Sequence, residues 1–112
     1  MYIINRAVIT VKIKQLGLDW VNTLDGLPDL LPEHVNDDTS AYLIGEYDTP
    51  EEMESILEEL YEGIFEQELM GYYTDRSVWP EITYEKFCEW FDIEEHTMVF
   101  DPLKDKIKKS KF

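Results

Sequence analysis

The chain has 112 residues, with 25 Asp and Glu against 10 Lys and Arg, for a formal net charge of −15. Such a field repels nucleic acid and anionic membrane from most of the surface, and attracts basic proteins or cations. Three Trp, seven Tyr and five Phe exclude a disordered acidic tail, and the length suffices for one core without disulfide or metal.

The charge is segregated along the chain. Residues 1–14 carry Arg6, Lys12 and Lys14 and no acid, residues 15–103 a net of −22, and residues 104–112 five Lys against Asp105. The expected organisation is a single α+β domain over 1–103 and a Lys-rich C-terminal tail over 104–112 that frays or folds back onto the acidic body. Cys88 is the single cysteine, which leaves no intramolecular disulfide and fits a reducing, cytoplasmic setting. Asn5 and Arg6 interrupt the first apolar residues, unlike a signal-peptide core. No run approaches the roughly 18–20 apolar residues of a membrane span.

Residues 3–14 read as a half-buried strand. Ala7, Ile9, Val11 and Ile13 make one face, and Val8, Thr10, Lys12 and Lys14 the other. Leu18–Leu24 reads as a short helix with Leu18 and Val21 turned inward. Residues 25–40 read as a long acidic loop holding Gly26, Pro28, Pro32 and His34, the last expected in solvent. A loop of this length is often functional or mobile, though the regular acid spacing of a calcium loop is missing. Ala41–Tyr47 reads as a second strand.

The dominant element is a helix from Thr49 to Gly71. Thr49 is its N-cap, Pro50 takes the first helical position, and Glu52 completes a capping box. Gly71 is the expected stop, by way of a left-handed turn. Met53, Ile56, Leu57, Leu60, Tyr61, Ile64 and Phe65 follow one helical face. Glu54, Glu58, Glu62 and Glu66 line the opposite one. Like charges at this spacing repel by about 0.2–0.5 kcal/mol per pair. A solvated face accounts for such a ridge; a docking surface for a basic partner is the alternative. Glu68 falls near the apolar face, either at a frayed end or partly buried and paired with Arg76 or Arg6.

An aromatic and polar connector follows, from Tyr72 to Pro80. Thr83 caps a third helix, with Tyr84, Phe87, Cys88 and Phe91 at i, i+3, i+4 and i+7, where Cys88 is expected as a small buried hydrophobe. His96–Asp101 alternates as a strand that Pro102 closes. The order is β-α-β-α-α-β. It predicts a small three-stranded, mainly antiparallel sheet with helices packed mostly on one face.

The candidate catalytic residues are His96, Asp75 and Arg6. His96 leads because its side chain changes charge near neutrality, and Glu94 and Glu95 adjoin it. A histidine at the edge of the core is the plainer account. Trp20, Asn22, Glu68, Tyr73 and Trp79 are the candidate lining of a small-ligand pocket, against an ordinary packed core. Two His and many carboxylates lack tight ligand spacing, so no metal and no cofactor is expected. Nucleophile-elbow, phosphate-loop and dinucleotide patterns are missing.

Several short segments carry a resemblance. Asn5-Arg6-Ala7, Asp19-Trp20-Val21-Asn22, Tyr42-Leu43-Ile44, Ile64-Phe65-Glu66, Tyr73-Thr74-Asp75, Val78-Trp79-Pro80, Glu89-Trp90-Phe91 and His96-Thr97-Met98-Val99 together resemble a family of short acidic bacterial proteins of unknown function. The resemblance spans most of residues 5–101. It implies a bacterial, intracellular setting and no particular activity.

Two functional classes follow. The first is a non-enzymatic interaction module that binds a basic protein through Glu54, Glu58, Glu62 and Glu66. The second is a small ligand-binding protein or enzyme around His96, Asp75 and Arg6. A homodimer sharing aromatic residues is a further partner class.

Overall fold

Strand β2, Ala7–Ile13, is the centre of the molecule, and its alternation is complete: Ala7, Ile9, Val11 and Ile13 are buried and the residues between them are not. The computed structural model describes residues 1–24 and 29–112. Asp25, Gly26 and Pro28 of the expected loop lie outside the described residues. Before β2 comes the two-residue strand β1, Tyr2–Ile3. After it come helices α1, Gln15–Val21, and α2, Pro32–Val35, then strand β3, Ser40–Ile44. Helix α3, Pro50–Met70, leads to a 3₁₀ turn at Arg76–Val78. Helix α4, Tyr84–Trp90, runs directly into strand β4, Phe91–His96, and strand β5 is Phe100–Asp101.

The main sheet has the order β3-β2-β4, antiparallel throughout. Its register sets Val8 beside Leu43 and His96, Ile9 beside Tyr42 and Glu95, and Val11 beside Ser40 and Ile93. A separate pair, β1 with β5, joins Ile3 to Phe100. One core cluster combines the inward face of β2 with Leu18 and Val21 of α1, Met53, Ile64, Phe65 and Leu69 of α3, and Phe87 and Trp90 of α4. Phe65 is its hub, with ring centroids 5.2 Å from Phe91, 5.5 Å from Trp90 and 6.1 Å from Phe87. Burying a side chain of this size stabilises the fold by roughly 1.5–3 kcal/mol.

Helix α3 begins as its sequence dictates. The Thr49 hydroxyl accepts the Glu52 N–H at 3.1 Å, while the Glu52 carboxylate reaches one residue further back, to the Asp48 N–H at 2.9 Å. Its end differs from expectation. Gly71 stays right-handed, at φ −68° and ψ −20°. The last carbonyls are instead satisfied by tightened turns, Gly71 N–H to Glu68 and Tyr72 and Tyr73 N–H to Leu69. Leu60 also departs from the expected inward face and is 41% exposed.

The third strand lies earlier than the sequence alternation suggests. Phe91 belongs to β4 and not to the preceding helix, because its backbone is already extended at φ −127° and ψ 143°. The register turns Phe91, Ile93 and Glu95 towards the core side and Asp92, Glu94 and His96 outward. Glu95 has an inward register position yet remains exposed, and the Tyr47 hydroxyl donates to it at 2.5 Å. Cys88 is corrected as well: it is exposed, since α4 turns Phe87 and Trp90 inward instead.

Two asparagines hold the segment before β3. Asn36 Nδ2 donates to the Ile13 carbonyl at 3.0 Å, and its Oδ1 accepts the Ile13 N–H at 3.2 Å. One side-chain amide therefore bonds the Ile13 peptide groups beyond the point where β3 stops pairing. Asn22 does the same for Leu30, with bonds of 3.0 and 2.8 Å. No helix among the described residues is long and apolar enough to cross a membrane.

Candidate functional site

Helix α3 anchors Met53, Ile64, Phe65 and Leu69 in the core and leaves Glu54, Glu58 and Glu62 exposed. The row runs along the flank of the buried face and not opposite it, since helical periodicity sets Phe65 between Glu54 and Glu58. The row from Glu54 to Glu66 spans roughly 18 Å at about 1.5 Å per residue. Glu66 is partly covered and meets Arg76 at 3.5 Å. The same guanidinium sits 4.7 Å from the Trp79 ring centre, a favourable cation–π arrangement. Arg76–Glu66 is the one ion pair of a Lys or Arg among the described residues, and His96 meets Glu94. Glu54, Glu58 and Glu62 thus enter no ion pair there.

The acid field extends to α4. Burial, then the hydrogen-bonded Cys88, then the charges of Glu54 and Glu58 lift the Tyr84 phenol to about 12. Its N-terminal turn adds Glu85. Beside these glutamates, Tyr61 packs edge-on against Tyr84 at 5.4 Å, which ties α3 to α4.

Glu68 is half-buried and accepts from the Tyr42 hydroxyl. Arg76 goes to Glu66, and Arg6 donates to the neighbouring Asn5 carbonyl at 2.8 Å. The expected arginine partners of Glu68 are therefore replaced by a tyrosine. Burial first, and then Glu68, push the Tyr42 phenol well above its ordinary value. Glu68 also borders a groove of about 510 Å³ floored by Val11 and Ile13 and rimmed by Asp38, Tyr72 and Phe112.

The other sequence candidates are placed apart. His96 Nε2 lies 2.9 Å from Glu94 on the outward face of β4. Asp75 caps the 3₁₀ turn, accepting from the Ser77 N–H at 3.0 Å and hydroxyl at 2.6 Å; these two bonds hold its carboxyl below the usual range. Arg6 and His96 stand near the Ala7 end of the sheet, whereas Asp75 follows the end of α3 that packs near Phe91. Hydrogen bonds and ion pairs among the described residues do not connect the three. Trp79 Nε1 donates to the Tyr73 carbonyl at 2.8 Å, and Trp20 packs at a tilt against Trp90, ring centroids 5.7 Å apart. Asn22 clamps Leu30. Of the five pocket candidates, only Glu68 lines the 510 Å³ groove. His34 is exposed as expected, and its Nδ1 accepts the Leu31 N–H at 3.0 Å.

Comparison with family models, curated proteins and solved structures gives no match. Function must therefore be argued from the side chains themselves. Two positions that sequence reasoning passed over are Asn36, whose amide reaches a strand 23 residues away, and Tyr42, whose hydroxyl holds Glu68. The only sequence signal for the first was an Asn just after a one-turn helix.

Proposed function

We propose that the chain is a non-enzymatic interaction module that binds a basic protein surface through Glu54, Glu58, Glu62 and Glu66. The observation that carries this reading is the row of exposed carboxylates on α3, three of which enter no ion pair among the described residues. The helix beneath is immobilised by Met53, Ile64, Phe65 and Leu69, so the backbone carrying the row is preorganised and the ordering cost of binding is confined to the glutamate side chains. Electrostatic steering towards such a row speeds association and makes it sensitive to salt. A bacterial, cytoplasmic setting, as the sequence resemblance implies, belongs to the same reading.

The test is an NMR titration with a helical peptide carrying Lys at i, i+4 spacing. Amide shifts concentrated on Glu54–Glu66 and the facing turn of α4, lost with added salt, support the reading. Shifts of equal size on the acids of residues 29–38 or of β4 would reduce it to unspecific charge attraction.

A further inference from the structure

Pairing of β1 with β5 brings exposed apolar side chains from distant parts of the chain together at adjoining surfaces. Tyr2, Ile3, Leu43, Phe100, Leu103 and Ile107 are each 49–68% exposed. They line two adjoining depressions of about 440 and 360 Å³ or sit in the β1–β5 pair that borders them. At roughly 150–250 Å² for a large side chain, their exposed area comes to about 650 Å². That matches the upper end of the largest apolar patch on a typical monomer, about 300–600 Å².

The charges within the patch decide what covers it. Asp101 and Asp105 stand there with Lys104 and Lys106, so acids and bases balance. A basic partner is drawn instead to the glutamates of α3. Two acids and two bases in one patch permit a twofold arrangement in which each Lys meets an Asp of the other copy.

We infer that this surface is an isologous interface between two copies of the chain. It is separate from the acidic face of α3 and leaves that face open in the dimer. Because each copy carries −15, the bodies repel at long range while the apolar contact holds them. Salt shortens the Debye length from about 10 Å at 0.1 M to about 3 Å at 1 M. Self-association therefore tightens as salt rises, opposite to binding of a basic partner.

The experiment is sedimentation velocity on the whole chain at low and high NaCl. It is run beside Leu43→Lys and Phe100→Lys, with circular dichroism confirming that each variant is folded. The expected result is a dimer whose fraction grows with salt, and at least a tenfold weaker dimer in each variant. The quadruple Glu54/Glu58/Glu62/Glu66→Lys variant dimerises at least as well as the parent. A monomer at both salt levels overturns the inference and leaves the patch to another occupant. So does a dimer indifferent to both patch substitutions, or one that dissociates as salt rises.

Discussion

Replacing Glu58 by Lys should make the protein more stable, although it removes a charge central to the proposed binding face. Glu58 is exposed and lies four residues from both Glu54 and Glu62. Substitution by Gln removes two repulsive i,i+4 pairs, a gain of about 0.4–1 kcal/mol, and substitution by Lys turns both into attractions, a gain of about 0.8–2 kcal/mol. At roughly 4 °C per kcal/mol for a domain of this size, Glu58→Lys raises Tm by about 3–8 °C. The assay is thermal unfolding followed by circular dichroism at low salt and at high salt. Screening should erase most of the gain, because at about 1 M salt the Debye length falls to roughly 3 Å. A stabilised variant means that the ridge is kept at a cost to folding, which is what a functional surface predicts. A neutral or destabilised Glu58→Lys, or a gain that survives high salt, would refute the electrostatic argument.

Three further predictions concern the fold that holds the face in place. The two helical glycines should respond oppositely to Ala: at Gly63 a new Cβ meets nothing within 4 Å, whereas at Gly17 it lies 2.8 Å from Ile13 Cγ1 and 3.3 Å from Trp90 Cβ. Gly63→Ala should raise stability by about 0.5–1 kcal/mol, and Gly17→Ala should lower it by about 1–3 kcal/mol, both read by urea unfolding. Asn36→Ala strips partners from the Ile13 N–H and carbonyl. It should destabilise the chain by about 1–3 kcal/mol and speed hydrogen exchange at Ile13. An unchanged exchange rate there would show that the amide clamp is dispensable. Burial, then the hydrogen bond to Glu95 and its charge, lift the Tyr47 phenol to about 12 from its ordinary 10. The folded state thus favours the neutral phenol, so this contribution is whole below pH 10 and is lost as pH rises towards 12. Tyr47→Phe should flatten the fall in stability over that window, and an equally steep fall would assign it to other groups such as Tyr42 and Tyr84.

The parts of the fold legible in the sequence are those whose signals are local. β2 shows its strict alternation, and α3 announces itself through Thr49, Pro50 and an apolar face spaced for a helix. What escaped depends on partners far along the chain. β4 was hidden because its outer half, Glu94 to His96, is exposed and polar and shows no apolar alternation, and Phe91 fits a helical spacing as well as a strand start. The end of α3 was misread because the Gly71 turn is closed by the carbonyls of Glu68 and Leu69 without a left-handed residue. Asn36 carries no pattern of its own; its role exists only once Ile13 lies beside it. For the candidate site the division is the same. The row Glu54, Glu58, Glu62, Glu66 follows from helical periodicity alone. The partner of Glu68 and the separation of Asp75 from Arg6 and His96 required the sheet register.

Affinity capture tests the central claim most directly. The chain and its Glu54/Glu58/Glu62/Glu66→Lys variant would be immobilised side by side, exposed to lysate of the source organism at low salt, and eluted with a rising salt gradient into a mass spectrometer. The account predicts a basic protein retained in stoichiometric amount by the unmodified chain alone and released as salt increases. The same proteins held equally by both chains, or a partner whose release ignores salt, would contradict it.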